Sequence, residues 1–367
     1  MRITGLEAIQ LRLPIRGRRR LGVGDLPHVD NVLIRLFTDE GLVGLGEASP
    51  WPVFAESAEA TLAVLRAHLG PALVGEDPFR IEALMAKLDR VLAGHPFAKA
   101  AIDMALHDLV GRALGQPIST LLGGRCRDRV PLSFSVAQQD TARDLDEIAS
   151  LRAQGLRIFK VKTGVLPARD DLERVRRIAE ALADGAELRL DYNQALTAEE
   201  ALVRVRAMEA FHPTFIEQPL PKWDLEGMAR IARAIDTPIV ADESVFGPHD
   251  ALRLVRLEAA DMVSIKLMKT GGLLGAKRVA AIAEAAGLPC YAGAMWESGV
   301  GLAAHLHFAC STPIVHYGSD YYISSFLLQQ DIISPPLRSE DGWIYPPDGP
   351  GLGVTLDEDA VRAFRVA

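Results

Sequence analysis

Residues 157–162 read Arg-Ile-Phe-Lys-Val-Lys, 188–191 Leu-Arg-Leu-Asp, 214–217 Thr-Phe-Ile-Glu, 238–242 Pro-Ile-Val-Ala-Asp and 262–266 Met-Val-Ser-Ile-Lys. Each is a short apolar run that ends in a charged side chain. Each is followed by alanine, leucine and charge at helical spacing. The last four ends, Asp191, Glu217, Asp242 and Lys266, fall at intervals of 26, 25 and 24 residues. One interval is one strand–helix unit, so the four side chains are predicted to stand on successive strands at the same end. Similar runs at 132–136, 289–293 and 313–318 bring the candidate strands to eight. Such alternation means parallel strands with crossover helices, and eight units predict a closed barrel.

The flanks break the period. Residues 1–37 read as strand, loop, strand, and helical spacing follows at 56–69, 78–92 and 98–114. The tail from 325 carries turn signals and short strands instead of an eighth barrel helix. The expected fold class is α/β: a (β/α)7β modified TIM barrel over 126–324. An α+β capping domain is expected from residues 1–125, with the 325–367 tail packing on it.

Composition narrows the function. The chain has 367 residues, 49% apolar and 24% charged, enough for a large core. Its net charge of −8 has the wrong sign for a nucleic-acid partner. No run approaches the ~18 apolar residues of a membrane span. Cys126, Cys290 and Cys310 lie far apart with no C-x-x-C, which fits a reducing, cytoplasmic setting and no thiolate zinc site.

Three carboxylates, Asp191, Glu217 and Asp242, converging without histidine or cysteine make an all-oxygen site suited to Mg²⁺, or Mn²⁺. Single charges at strand ends usually mark a solvated rim, but four at matched phase argue against that. Lys160 and Lys162 alternate by two and point the same way, towards the barrel mouth. Two close ammonium groups and a nearby cation favour a neutral amine, the state a general base needs. Lys266, on the sixth strand, faces them across the mouth.

Taken together, Lys160-x-Lys162, Asp191-x-Asn193, Phe215-Ile-Glu217-Gln-Pro219, Ala241-Asp242-Glu-Ser244 and Ile265-Lys266 through Thr270-Gly-Gly272 resemble the enolase superfamily, muconate-lactonizing subgroup. Phe97-Ala-Lys99-Ala100, Leu121-Leu-Gly-Gly124 and Gly349-Pro-Gly-Leu-Gly353 extend the resemblance over the whole chain. The resemblance implies that Asp191, Glu217 and Asp242 hold one Mg²⁺ that binds a substrate carboxylate. It implies acid/base roles for Lys162 and Lys266 on opposite faces, with Lys160 aiding carboxylate binding and Asn193 near metal or substrate. A homo-oligomeric isomerase acting on a small carboxylate is expected, muconate cycloisomerase-like. The alternatives are a racemase or epimerase of an N-substituted or cyclic amino acid, and a non-catalytic binding barrel.

Specificity candidates are Glu297 and Trp296 after the seventh strand, and Asp320 at the eighth. There the chain has Gly318-Ser-Asp320-Tyr-Tyr322-Ile where muconate cycloisomerases typically continue glycine-x-glutamate-leucine-phenylalanine-glycine. Residues 16–25 read as a basic lid loop, with Arg20 as the candidate for a second anionic group and a solvated charge run as the plainer reading. Phe54, with Trp51, Trp296 and Tyr321, is a candidate for an aromatic wall, with ordinary hydrophobic packing as the plainer reading. Three features are set aside: Gly41-x-x-Gly44-x-Gly46 lacks dinucleotide spacing, Lys269-Thr-Gly271 lacks its companion motifs, and His305 and His307 face different ways on one helix.

Overall fold

The computed structural model describes residues 1–21, 24–52 and 54–366, the side chains of residues 18, 20, 21 and 24–27 excepted. Three antiparallel strands, Ile3–Leu21, Gly24–Thr38 and Val43–Ala48, form the first sheet. Where a loop is expected at 16–25, the described residues form the end of a long hairpin, pairing Arg19 with Leu26, Arg20 with Asp25 and Leu21 with Gly24. Arg19 explains the order. It is buried, its Nη1 lies 2.7 Å from Glu147 Oε1 on the helix Thr141–Ala153, and its guanidinium sits 5.3 Å over the Phe134 ring. An arginine with both a carboxylate and an aromatic face to meet is held in place.

The helix Pro96–Leu114 lies across this sheet and is buried on nearly every side, Lys99, Asp103 and Asp108 included. A helix so enclosed needs close backbone approach. A Cβ on Gly46 would lie 2.0 Å from the Ala101 carbonyl oxygen, so Gly44 and Gly46 form a packing seam, which accounts for the glycine spacing without a ligand.

Seven parallel strands follow in chain order: Ser133–Val136, Ile158–Lys162, Glu187–Asp191, Ile216–Glu217, Ile239–Ala241, Met262–Ile265 and Cys290–Ala292. The eighth run closes the ring through two parallel bridges, Cys290 to Val315 and Leu132 to Ser319. Register places Lys162 beside Asp191 and Asp191 beside Glu217, so neighbouring strands present one row of charged ends. Below that row Phe215, Val240, Met262 and Tyr291 fill the barrel as a cluster of their own. Arg189 lies over the Phe215 and Tyr291 rings at 4.9 and 5.2 Å and donates to the Gly318 carbonyl. The barrel is plugged from beneath, so its chemistry faces one way.

The tail returns to both units. Ser339–Glu340 pairs with Trp343–Ile344, which pairs in turn with Val130–Pro131, while Ile15 bridges Leu328 and Leu11 bridges Arg365. Two buried carboxylates fix the cap on the barrel. Asp103 accepts from Leu273 N, the start of the helix Leu273–Ala285. Glu47 accepts from Asn31 Nδ2, Ser298 N, Ser298 Oγ and Gly301 N, at the start of the helix Gly299–Cys310. Helix N-termini offer unpaired N–H groups, and carboxylates from the other unit satisfy them. Among the described residues no helix is long and apolar enough to cross a membrane.

Candidate active site

At the mouth of the barrel four lysines meet four carboxylates, and a fifth, Glu243, joins them through Asn193. Lys160 Nζ lies 2.7 Å from Glu217 Oε2, 2.5 Å from Asp320 Oδ2 and 3.5 Å from Asp191 Oδ2. Lys162 donates to Asp191 Oδ2 and, at 2.8 Å, to Asn193 Oδ1. The Asn193 amide donates onward to Glu243 Oε1 at 3.1 Å, so Glu243, Asn193 and Lys162 form one chain. Lys266 donates to Asp242 Oδ2 at 2.6 Å, and Lys269 takes the other oxygen, Oδ1, at 2.5 Å.

These contacts hold the charge on two of the lysines, Lys160 and Lys266. Burial disfavours the Lys160 ammonium, yet Asp320 and Glu217 together hold its pKa well above the ordinary lysine value. Burial likewise opposes the Lys266 charge, and Asp242 and Glu217 overcome it. Each of these two ammonium groups meets buried carboxylates directly. Among those carboxylates, burial and Asp191 push Glu217 up to about 7 against the pull of Lys160. Burial, with Asp242 and Asp191, pushes Glu243 to about 8. Asp242 goes the other way: burial is outweighed by Lys266 and Lys269, which hold it far below the carboxylate range.

As the side chains stand, no three His, Cys, Asp or Glu among the described residues form a metal-holding group, because ammonium groups lie between the carboxylates. The donor set nonetheless fits a hard divalent cation. Asp191, Glu217 and Asp242 are buried at the ends of adjacent strands, and Glu217 Oε1 is buried without a hydrogen-bond partner. An orphaned carboxylate oxygen inside a protein is costly unless a cation meets it.

The cavity above is lined by Lys160, Lys162, Lys266, Asn193 and Asp320 together with Trp51, Phe54, Trp296 and Tyr322. Trp51 stacks on Phe54 with centroids 5.6 Å apart and meets Trp296 edge-on at 6.0 Å. The Lys266 ammonium lies 4.9 Å over the Phe54 ring. Two expectations change. Tyr322 faces the cavity, while Tyr321 packs on His305. Trp296 lines the cavity, but Glu297 does not: it is fully buried, with Oε1 3.1 Å from His305 Nε2. His305, set aside as a metal ligand, is thus the partner that turns Glu297 inward. The Arg20 side chain lies outside the described residues.

Residues 8–123 match the mandelate racemase / muconate lactonizing enzyme N-terminal domain, and residues 143–360 the enolase C-terminal domain-like family. The chain belongs to the enolase superfamily. Within this superfamily it is 39% identical to a chloromuconate cycloisomerase of Cupriavidus pinatubonensis, over 97% of this chain and 96% of that one. It is 36% identical to muconate cycloisomerase 1 of Rhodococcus opacus, over 99% and 98%. A muconate lactonizing enzyme from Pseudomonas fluorescens, solved with muconolactone, superposes with a TM-score of 0.97 at 35% identity, covering 100% of this chain and 99% of that one. An N-succinyl Arg/Lys racemase from Bacillus cereus superposes at 0.96 and 32% identity, with coverage of 100% and 99%. The protein is a muconate cycloisomerase-like enolase-superfamily enzyme of the isomerase class.

Proposed function

We propose that this enzyme moves a proton at the carbon next to a carboxylate, and that its reaction is the cycloisomerisation of a muconate-type dicarboxylate. The observation that carries this reading is the pair Lys162 and Lys266, which reach one carboxylate set from strands four places apart in a ring of eight. In this reading Asp191, Glu217 and Asp242 hold Mg²⁺, with Mn²⁺ as a substitute. When bound, that cation supplies the positive charge that stabilises an enediolate-type anion. Lys160 and Asn193 orient the substrate carboxylate, and Asp320 anchors Lys160. Ring closure by one carboxylate onto the diene leaves charge on the carbon beside the other, and one proton delivered there by Lys162 completes the lactone. Lys266 stands on the opposite face and stabilises charge. Trp51, Phe54 and Trp296 pack on the carbon chain and exclude water.

The second reading, a racemase or epimerase of an N-substituted amino acid, is supported by lysines on both faces and by the racemase among the structural neighbours. The reading extends to a small-molecule carboxylate as the sole partner, a homo-oligomeric state and a cytoplasmic setting, the last supported by the three free cysteines. The test is incubation with cis,cis-muconate and Mg²⁺ in D₂O, followed by proton NMR. A lactone carrying one deuteron is expected. No conversion of muconate, alongside α-deuteration of N-succinyl amino acids, would replace the first reading with the second.

A further inference from the structure

Lys269 is the one lysine of the four that does not reach the cavity. It sits on the single helical turn Leu267–Thr270 directly after the sixth barrel strand, with no exposed surface. Its ammonium has three protons and meets three acceptors: Asp242 Oδ1, the Asp242 main-chain carbonyl and, at 3.1 Å, the Ser264 carbonyl. Grip on both the carboxylate and the carbonyl of one residue fixes that side chain's torsions from behind. Lys266 contacts only the other oxygen, Oδ2, and from the cavity side. The two ammonium groups therefore differ in kind: one is free to turn to a substrate, the other has nothing within reach but Asp242 and a backbone oxygen.

We propose that Lys269 is a positioning residue for the divalent cation, locking the Asp242 carboxylate in the orientation that binds it. The inference rests on the reading that Asp191, Glu217 and Asp242 form the metal site. Hydrogen-bond partners that orient ligating carboxylates contribute to metal affinity, and their loss typically weakens binding about 10–100-fold. Without Lys269 the carboxylate gains torsional freedom that binding must then remove. Removing one partner of a buried ion pair is commonly destabilising, so the folding of each Lys269 variant is checked before its metal affinity is read.

The experiment is Mn²⁺ binding by the purified full chain, read by calorimetry and by the EPR signal of free Mn²⁺, for wild type, Asp242→Asn, Lys269→Met and Lys269→Gln. Wild type is expected to bind one Mn²⁺ per chain, and Asp242→Asn to lose it. Both Lys269 variants are expected to bind about 10–100-fold more weakly. Mn²⁺ affinity within twofold of wild type in either folded Lys269 variant overturns the inference and leaves the metal site standing. Failure of both variants to fold also overturns it, making Lys269 a folding residue. Absence of binding by wild type removes the metal site itself, and the inference with it.

Discussion

Lys162 and Lys266 stand on opposite strands of one barrel and donate to different members of one carboxylate triad, Lys162 to Asp191 and Lys266 to Asp242. The cavity that both line also carries Asp320 and the aromatic rings of Trp51, Phe54 and Trp296. A planar carbon atom held there presents one face to each amine. Rotating either lysine away from its carboxylate and towards that carbon is a side-chain motion, not a rearrangement of the fold.

Metal removal should silence the enzyme. Exhaustive EDTA treatment is expected to abolish turnover and Mg²⁺ or Mn²⁺ to restore it. Asp242→Asn is expected to lower kcat/KM by about 100-fold or more, the scale of several kcal/mol of charge stabilisation, with an unchanged circular dichroism spectrum. Turnover undiminished by EDTA contradicts a metal-assisted reaction.

The aromatic wall should act on binding rather than chemistry. Trp296 is nearly fully buried against Trp51 and the cavity. Trp296→Ala is expected to raise KM about 10–30-fold, the equivalent of about 1.5–2 kcal/mol of lost apolar contact, with kcat changed far less. A fall in kcat at constant KM would move Trp296 from packing to catalysis.

Glu47, at the joint of cap and barrel, should make stability depend on pH. Burial, against the donors of Ser298 and Gly301, raises its pKa from 4.5 to about 7. Between those values the native state binds more protons than the unfolded chain, so stability falls as pH rises through that window. The full effect is about 3 kcal/mol. Urea midpoints at pH 5, 6 and 7 should show this fall in wild type, and Glu47→Gln should flatten it. An equal slope in the variant assigns the titration to another group.

The barrel was legible because its strands end in charge at a nearly constant interval, and a periodic feature survives local ambiguity. Asp191, Glu217, Asp242, Lys160, Lys162 and Lys266 all came from that period and from alternation by two, and the structure brings all six together. What sequence reasoning missed depends on partners distant in the chain. Lys269 was dismissed on a motif comparison, although its spacing of three from Lys266 places both at one strand end. Glu297 was placed in the cavity because nothing local signals that His305 would capture it. The 16–25 segment read as a loop because the contact that orders it, Arg19 with Glu147, spans 128 residues. Glu47 and Asp103 gave no signal at all, since capping a helix of another unit leaves no local pattern.

The most direct test of the two-lysine account is deuterium exchange at the α-carbon in D₂O, followed by NMR with stereochemical assignment, for wild type, Lys162→Ala and Lys266→Ala. Lys162→Ala is expected to stop transfer at its own face, and Lys266→Ala to leave exchange at that face intact even where turnover is lost. Exchange at the same face and rate in wild type and Lys162→Ala would show that another group moves the proton, contradicting the assignment while leaving the fold untouched.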